Sequence, residues 1–367
     1  MRSVLMGWMR RTLGLATALC LASLPLAPPT HAASSCKLVK VAAIPLEMDG
    51  NEVLASVTIN GKPAHMIVDT GAWISLLSRS SMDYLGLKAV DAQGQLIGID
   101  GTSRLLQTTM DSLELGTWRG KDVRVYVGGY GSWRGDTVGL LGMDLLERYD
   151  LEFDLAHKLL SLYKPEKCDN DVLAYWSDSY NVTDMDDVRG NRARIRVPIT
   201  INGQLIHAEL DSGASLTVLD EGVARRVGVD VAAGEAEKGG GGRGVNGRLV
   251  EDHIGTFDTF SIGDETIRHA KLRVADLYNR VGERFVGSRL STSYSDTDLY
   301  LGVDFLRSHR VYIASSQRKV YFTYQGGPVF QVIGPLRARE SNGAPDDGGP
   351  QAAQTPAANP PAKPQGQ

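Results

Sequence analysis

The sequence predicts an all-β protein made of two duplicated lobes related by a pseudo-two-fold axis, with a functional site between them. Three observations lead there. First, a phrase is written twice, as VTINGKPAHMIVDTGA at residues 57–72 and as ITINGQLIHAELDSGA at 199–214, with eight of sixteen positions identical. Second, the echo continues in the same order: GIDG at 98–101 answers GVNG at 244–247, LELG ending at Gly116 answers FSIG ending at Gly263, and LLGMDLLERYDLEFD at 140–154 answers YLGVDFLRSHRVYIA at 300–314. A repeat well over a hundred residues long is too long for a solenoid unit and suits two similar domains. Third, the local period is two: EVLASVTIN, RIRVPITIN, DVRVYV and KVYFTY are short, rich in β-branched and aromatic residues, and bounded by Gly, Asn and Asp, the pattern of strands and hairpins.

Composition fits a globular chain. Of 367 residues, 42% are hydrophobic and 22% charged, and the net charge is -4, so there is material for a core and no basic patch of the kind that nucleic acid or anionic lipid requires.

The chain opens like an export signal, residues 1–32: Arg2, Arg10 and Arg11 precede an apolar stretch over 13–27 and small residues, with Thr30 and Ala32 as the pair before a cleavage after Ala32. Removing it takes away three arginines and no acid, which moves the net charge from -4 to -7. No later apolar run is long enough to span a bilayer, so the expected location is exported, periplasmic or secreted, with no integral membrane segment after signal removal. Cys20 falls in the signal, which leaves Cys36 and Cys168. In an oxidising compartment two cysteines are most simply one disulfide; the alternative is a lipid anchor on Cys36 within ASSC.

The expected organisation is an N-terminal lobe at 33–163, an interlobe connection at 164–193, a C-terminal lobe at 194–334 and a tail at 335–367. The connection is acidic, lies outside the repeat and is read as covering a surface. The tail, rich in Pro, Gly, Ala and Gln, cannot bury enough apolar area to offset its ordering entropy. Helical signals are brief, as in MDLLERY and EGVARRVG. The ING that follows a strand in both halves is a tight-turn signal.

Each copy stops a hydrophobic strand on a bare carboxylate, Asp69 in Asp-Thr-Gly and Asp211 in Asp-Ser-Gly. Burying one alone is expensive, whereas a duplicated fold lets the axis bring the two together. Two adjacent carboxyls share a proton and their apparent pKa values separate. One is then ready as base and one as acid, so a water between them can be deprotonated while a peptide carbonyl is protonated. Gly71 and Gly213 allow close approach to the opposite acid. Thr70 and Ser212 carry hydroxyls that can brace the turns across the axis.

These residues resemble an aspartic protease of the retropepsin-like and pepsin-like group, of the exported, bacterial single-chain type, over residues 37–330. Asp69-Thr70-Gly71-Ala72 and Asp211-Ser212-Gly213-Ala214 match the family's active-site motif, and LLG at 140–142 and YLG at 300–302 match its second signature. The resemblance implies two retropepsin-like β-barrel lobes, an aspartic endopeptidase acting on peptide or protein substrates, no cofactor and no metal. It also implies two flaps, with Gly98, Ile99, Asp100 and Gly101 at one tip and Gly244, Val245, Asn246 and Gly247 at the other. Neither tip has the tyrosine of pepsin-like enzymes, and Ala72 and Ala214 resemble the retroviral form. A monomer is expected, because the single chain carries both acids.

Other patterns carry less. GRGVNG at 242–247 fits a dinucleotide fingerprint without a surrounding βαβ unit, and neither an HExxH pair nor a G-x-S-x-G elbow occurs. His65 and His207 recur four residues before each acid with no evident chemical reason. Trp73 has Ser215 as its counterpart and is read either as pocket wall or as packing. The stretch 276–296 makes lobe 2 longer and suggests restricted access and a selective processing enzyme. The competing function is a catalytically inactive binding or inhibitor protein on the same scaffold.

Overall fold

The structure, a computed structural model, describes residues 36–129, 133, 135–187, 194–231, 236–277 and 297–330. The expected signal, nearly all of 276–296, the end of the connection and the tail lie outside the described residues.

Lobe 1 begins with β1 (Lys37–Asp49), β2 (Glu52–Ile59) and β3 (Lys62–Val68). The β2–β3 turn places Asn60 at φ 50° and Gly61 at φ 77°, two successive left-handed residues whose twist matches that of the flanking strands. Then follow β4 (Leu76–Leu77), α1 (Met82–Leu85), the long hairpin β5 (Val90–Gly98) and β6 (Gly101–Leu115), β7 (Trp118–Val127), β8 (Thr137–Leu141) and α2 (Met143–Leu146). Strand β8 runs parallel to β3 and antiparallel to β4, lying between them, while β2 also pairs with β6. The sheet thus curls on itself around Val57, Met66, Val68, Leu77, Leu113 and Leu141, all buried.

After β9 (Asp150–Asp154), β10 (Leu159–Glu166) and β11 (Asn181–Asp184), lobe 2 repeats the plan. It has β12 (Arg196–Ile201) and β13 (Gln204–Leu210), joined through Asn202 at φ 50° and Gly203 at φ 78°. Next come β14 (Val218–Asp220), α3 (Glu221–Arg226), the two-residue strands β15 (Glu237–Lys238), β16 (Gly242–Arg243) and β17 (Leu249–Val250), then β18 (Asp252–Ile262), β19 (Glu265–Ala275), β20 (Leu299–Leu301) and α4 (Val303–Leu306). Strand β20 lies between β13 and β14 as β8 does in lobe 1, and β12 closes on β18. The alternation predicted for RVPITI is present in β12, where every second residue is buried, as a strand with one face on a core requires.

The last strands, β21 (His309–Ala314) and β22 (Lys319–Tyr324), do not stay in lobe 2. They join β11, β9, β10 and the first half of β1 in one sheet of order β11-β22-β21-β9-β10-β1. At its centre the equivalent strands β9 and β21 pair antiparallel, Val311 opposite Phe153 and Ile313 opposite Leu151, so the pseudo-two-fold passes between them. The connection covers this sheet: Leu173, Ala174 and Trp176 pack with Tyr163, Tyr312 and Tyr321. Beneath them Glu152, 1% exposed, accepts from Tyr163 Oη (3.0 Å), Tyr175 Oη (2.9 Å) and Arg310 Nη2 (2.6 Å), which offsets its burial. Cys36 and Cys168 form a disulfide across the ends of β1 and β10.

Candidate active site

Asp69 and Asp211 are the residues that follow β3 and β13. Both strands end deep in the molecule beside a parallel neighbour, and the first amide past each strand still donates to it: Asp69 N to Leu141 O (3.0 Å), Asp211 N to Leu301 O (2.9 Å). The chain then turns sharply. Gly71 N and Ala72 N both donate to Asp69 Oδ1 (3.0 and 2.8 Å), and Gly213 N and Ala214 N to Asp211 Oδ1 (2.8 and 3.2 Å). Each acid therefore folds its own loop.

The two loops meet through Thr70 and Ser212, each 1% exposed. Thr70 Oγ1 donates to Leu210 O (2.7 Å) and accepts from Ser212 N (3.0 Å), while Ser212 Oγ donates to Val68 O (2.7 Å) and accepts from Thr70 N (3.1 Å). A hydroxyl is needed at both positions because each must donate and accept at once. The glycines set the separation: a Cβ on Gly71 would come within 2.5 Å of Asp211 Cγ, and one on Gly213 within 2.5 Å of Asp69 Oδ1.

Asp69 and Asp211 are both half-buried as residues. Desolvation pushes Asp69 well above the usual carboxylate range, and the neighbouring Asp211 charge and hydrogen bond push it further against the Gly71 and Ala72 amides. Asp211 is also raised by desolvation, with the Gly213 amide and the bond from Asp69 opposing. Both shifts run toward the protonated form, as expected for two buried neighbouring carboxyls.

A further layer escaped the sequence reading. Asp144 Oδ1 accepts from Ser75 N (2.8 Å) and Ser75 Oγ (2.7 Å), and Ser75 Oγ in turn accepts from Gly142 N (3.0 Å). Lobe 2 repeats this with Asp304, Thr217 and Gly302: Thr217 N and Oγ1 lie 2.9 and 2.6 Å from Asp304 Oδ1, and Gly302 N donates to Thr217 Oγ1 (3.0 Å). Met143 N and Val303 N donate to Ala72 O (2.9 Å) and Ala214 O (2.8 Å). The glycines of LLG and YLG are required because a Cβ would meet the loop backbone at 2.6 Å. The signal was present in the repeated Gly-x-Asp and in a hydroxyl residue six positions after each acid. Burial raises Asp304 to about 6.

The histidines now have an explanation. His65 Nδ1 pairs with Asp136 (2.7 Å) and its Nε2 with Glu47 (3.2 Å), and His207 Nδ1 pairs with Asp186 (2.6 Å), so each ties its central strand to a neighbouring segment. Burial opposes the His65 charge, but the bonds and charges of Asp136 and Glu47 prevail and raise it. Trp73 lies under the Arg194 guanidinium, 5.1 Å from the ring centroid, and Arg194 is 3.9 Å from the buried Glu209. A second tie joins the lobes where Asn51 Nδ2 donates to Ser215 O (2.9 Å).

The tips 98–101 and 244–247 meet. Asn246 Nδ2 donates to Asp100 Oδ1 (3.1 Å) and Gly101 O (2.8 Å), and Arg248 N to Asp100 Oδ2 (3.0 Å). Val245 packs with Ile74, Leu76 and Leu96 of lobe 1, and Ile99 with Val218, Val250 and Leu277 of lobe 2. Among the described residues, no group of three or more His, Cys, Asp or Glu side chains is arranged to hold a metal ion, and no helix is long and apolar enough to cross a membrane.

Comparison with known sequences gives a match to the family described as aspartyl protease over residues 55–145 and again over 197–305. Each match contains one of the two Asp-Thr/Ser-Gly loops and one apolar-apolar-Gly signature. Among solved structures, a retropepsin-like aspartic protease from Rickettsia conorii is 24% identical over 36% of this chain and 94% of its own, with a TM-score of 0.25. No curated protein matches.

Proposed function

Because the chain belongs to the aspartyl protease family, we propose that it is an active endopeptidase whose reacting groups are Asp69 and Asp211. The observation that carries this reading is the pair itself: two carboxyls on cross-braced loops, each within reach of the other's glycine and both raised by desolvation. With one proton between them, the ionised carboxylate takes a proton from a water while the protonated one gives its proton to the carbonyl oxygen of a peptide bond. Water oxygen bonds to the carbonyl carbon and a neutral diol results. As the diol collapses, the C–N bond breaks, a diol proton returns to a carboxylate and the leaving nitrogen receives one from the other carboxyl. No net charge is created in the cleft.

The hydroxyls of Thr70 and Ser212 act on the carboxyls through the loop backbone and are positioning residues. Residues 98–101 and 244–247 serve as flaps over the bound peptide. The Cys36–Cys168 bond suits an oxidising compartment, so the substrates are exported proteins, and the long stretch 276–296 restricts them to a few. A broad cleavage profile on unfolded protein libraries would remove that last restriction.

The test is cleavage of a diverse peptide library by the protein lacking residues 1–32 across pH 4 to 8, beside Asp69→Asn and Asp211→Asn. Wild type is expected to cut, with a bell-shaped pH profile because activity needs one carboxyl ionised and one protonated. Each variant should lose on the order of 100-fold or more. A folded wild type that cuts nothing favours the competing reading, an inactive binding protein on the same scaffold.

A further inference from the structure

Nothing in peptide hydrolysis calls for the side chains that the connection carries. It lies outside the repeat, yet YWSDSYN at 175–181 packs against the end of β22 and forms with it a cleft of about 390 Å3, within the range of about 300–1,000 Å3 found for small-molecule sites. The connection contributes Trp176, Tyr180 and Asn181 to the lining, and the end of β22 contributes Thr323, Tyr324 and, just beyond it, Gln325. Ser177 and Ser179 complete it as a fixed turn, in which Ser177 Oγ donates to Ser179 O (2.7 Å) and accepts from Ser179 N (3.2 Å). In a chain with 22% charged residues, no residue lining this cleft is charged. The pseudo-two-fold does not repeat it: Ala314 opposite Lys319 corresponds to Asp154 opposite Leu159, so Thr323, Tyr324 and Gln325 answer to Tyr163, Lys164 and Pro165. The cleft is an addition to the duplicated plan.

Its hydrogen-bonding capacity is partly used and partly left over. Thr323, 8% exposed, accepts at Oγ1 from Trp176 Nε1 (2.9 Å) and Gln325 Nε2 (3.2 Å), which leaves its own proton without an acceptor among the described residues. Asn181 Nδ2 donates to Glu265 (3.3 Å), and Gln325 Nε2 is already given to Thr323, so both amide oxygens remain to accept. The indole ring of Trp176 lies under the Arg310 guanidinium, 4.9 Å from the centroid, and stacks with Tyr312. Tyr324 is 54% exposed and its ring is held against His309, 5.6 Å between centroids. It offers an aromatic face to solvent beside two acceptors and one donor.

That set selects a ligand class. Carboxylates and phosphates only accept and would meet the Asn181 and Gln325 oxygens, while a cation finds no charge in the lining. Proline-rich chain offers carbonyls that accept and prolines that lack an N–H, and the Trp176 N–H that could bind such a carbonyl is already engaged by Thr323. A sugar hydroxyl both donates and accepts, and the C–H face of a sugar ring can lie on an aromatic one. We propose that this cleft binds a neutral saccharide, its ring on Tyr324 and its hydroxyls among Thr323, Asn181 and Gln325, and so docks the protein on glycan through a surface outside the catalytic loops.

The experiment is isothermal titration of the protein lacking residues 1–32 with cellobiose and with N,N'-diacetylchitobiose, for wild type, Tyr324→Ala and Gln325→Ala. Wild type is expected to bind at least one of them with a Kd of about 1 mM, the strength of a few hydrogen bonds to a small neutral ligand. Tyr324→Ala should weaken binding roughly tenfold by removing the platform, and Gln325→Ala roughly fivefold by removing an acceptor. Both side chains are exposed, so neither change reaches the core, and an unchanged urea midpoint certifies each variant; should Tyr324→Ala fail to fold, Gln325→Ala decides. A wild type that binds neither disaccharide, or binding that the folded variants leave unchanged, overturns the proposal. A synthetic peptide of residues 355–366, TPAANPPAKPQG, should not bind; if it alone binds, the cleft takes proline-rich chain and the saccharide assignment falls. No peptide bond is cut in this measurement, so its outcome is independent of whether Asp69 and Asp211 catalyse.

Discussion

Thr70 and Ser212 are small residues with four hydrogen bonds between them, and each bond ends on a backbone group of the opposite loop. Thr70→Val keeps the shape and leaves Leu210 O and Ser212 N buried without their partner. The expected loss is about 2 to 4 kcal/mol of unfolding free energy, read from urea denaturation, because each stranded buried group costs about 1 to 3 kcal/mol; Thr70→Ser should stay close to wild type. Asp304 makes a pH-dependent contribution of defined sign. Its carboxyl is raised to about 6 in the folded protein from an ordinary 3.8, so between these values the folded state binds more protons than the unfolded one. Its contribution to stability is fully present below pH 4 and is lost as pH rises through 6. Asp304→Asn retains an acceptor for Thr217 and removes the titration. Denaturation midpoints of wild type and this variant, compared from pH 4 to 7, should diverge with wild type losing stability as pH rises; parallel curves would refute the shift.

At the scale of elements, what the sequence disclosed and what it hid have separate physical causes. The ING turns were legible because only a few residues tolerate successive left-handed backbone, and both copies kept them at Asn60-Gly61 and Asn202-Gly203. The acids were legible because a carboxylate ending a hydrophobic strand is an anomaly that the repeat states twice. By contrast β9, DLEFD, is buried at every position, so it shows no alternation, and nothing local says that its partner is β21, more than a hundred residues away. The network of Glu152, Tyr163, Tyr175 and Arg310 was hidden for the same reason, as was the stacking of Arg194 on Trp73: both depend on segments brought together only by the folded sheets. Cys36 and Cys168 show an intermediate case, since chemistry indicated the pair and the structure supplied its place, clamping β1 to β10. Their sequence separation is 132. Replacing both, Cys36→Ser with Cys168→Ser, should lower stability by up to about 5 kcal/mol in guanidinium denaturation, the loop-closure limit for that length, whereas no change would mean that the strand pairing already restrains the ends.

Over the whole molecule, the two lobes are joined by one sheet rather than by contact alone. Asp69 and Asp211 each belong to a separate closed barrel, and the relation between them is fixed by β9 against β21, by the Thr70–Ser212 bonds and by the Asn51 tie to Ser215. The connection strengthens this arrangement by covering the sheet with Leu173 and Trp176, and Trp176 Nε1 donates to Thr323 Oγ1 of β22 at 2.9 Å.

That sheet also orders events in time. Strand β11 is made before any part of lobe 2, yet its partner is β22, the last strand of the described chain, with Val182 opposite Tyr321. As the polypeptide emerges from N to C terminus, β10 and β11 must wait with apolar faces uncovered until residues 319–324 arrive, a delay set by sequence distance rather than by local propensity. A chain arrested between residues 214 and 309 carries both aspartates and both hydroxyls and still lacks β21, the strand that seats one lobe on the other. The activity proposed here would then switch on only with completion, and an unfinished copy would be inert toward its own neighbours.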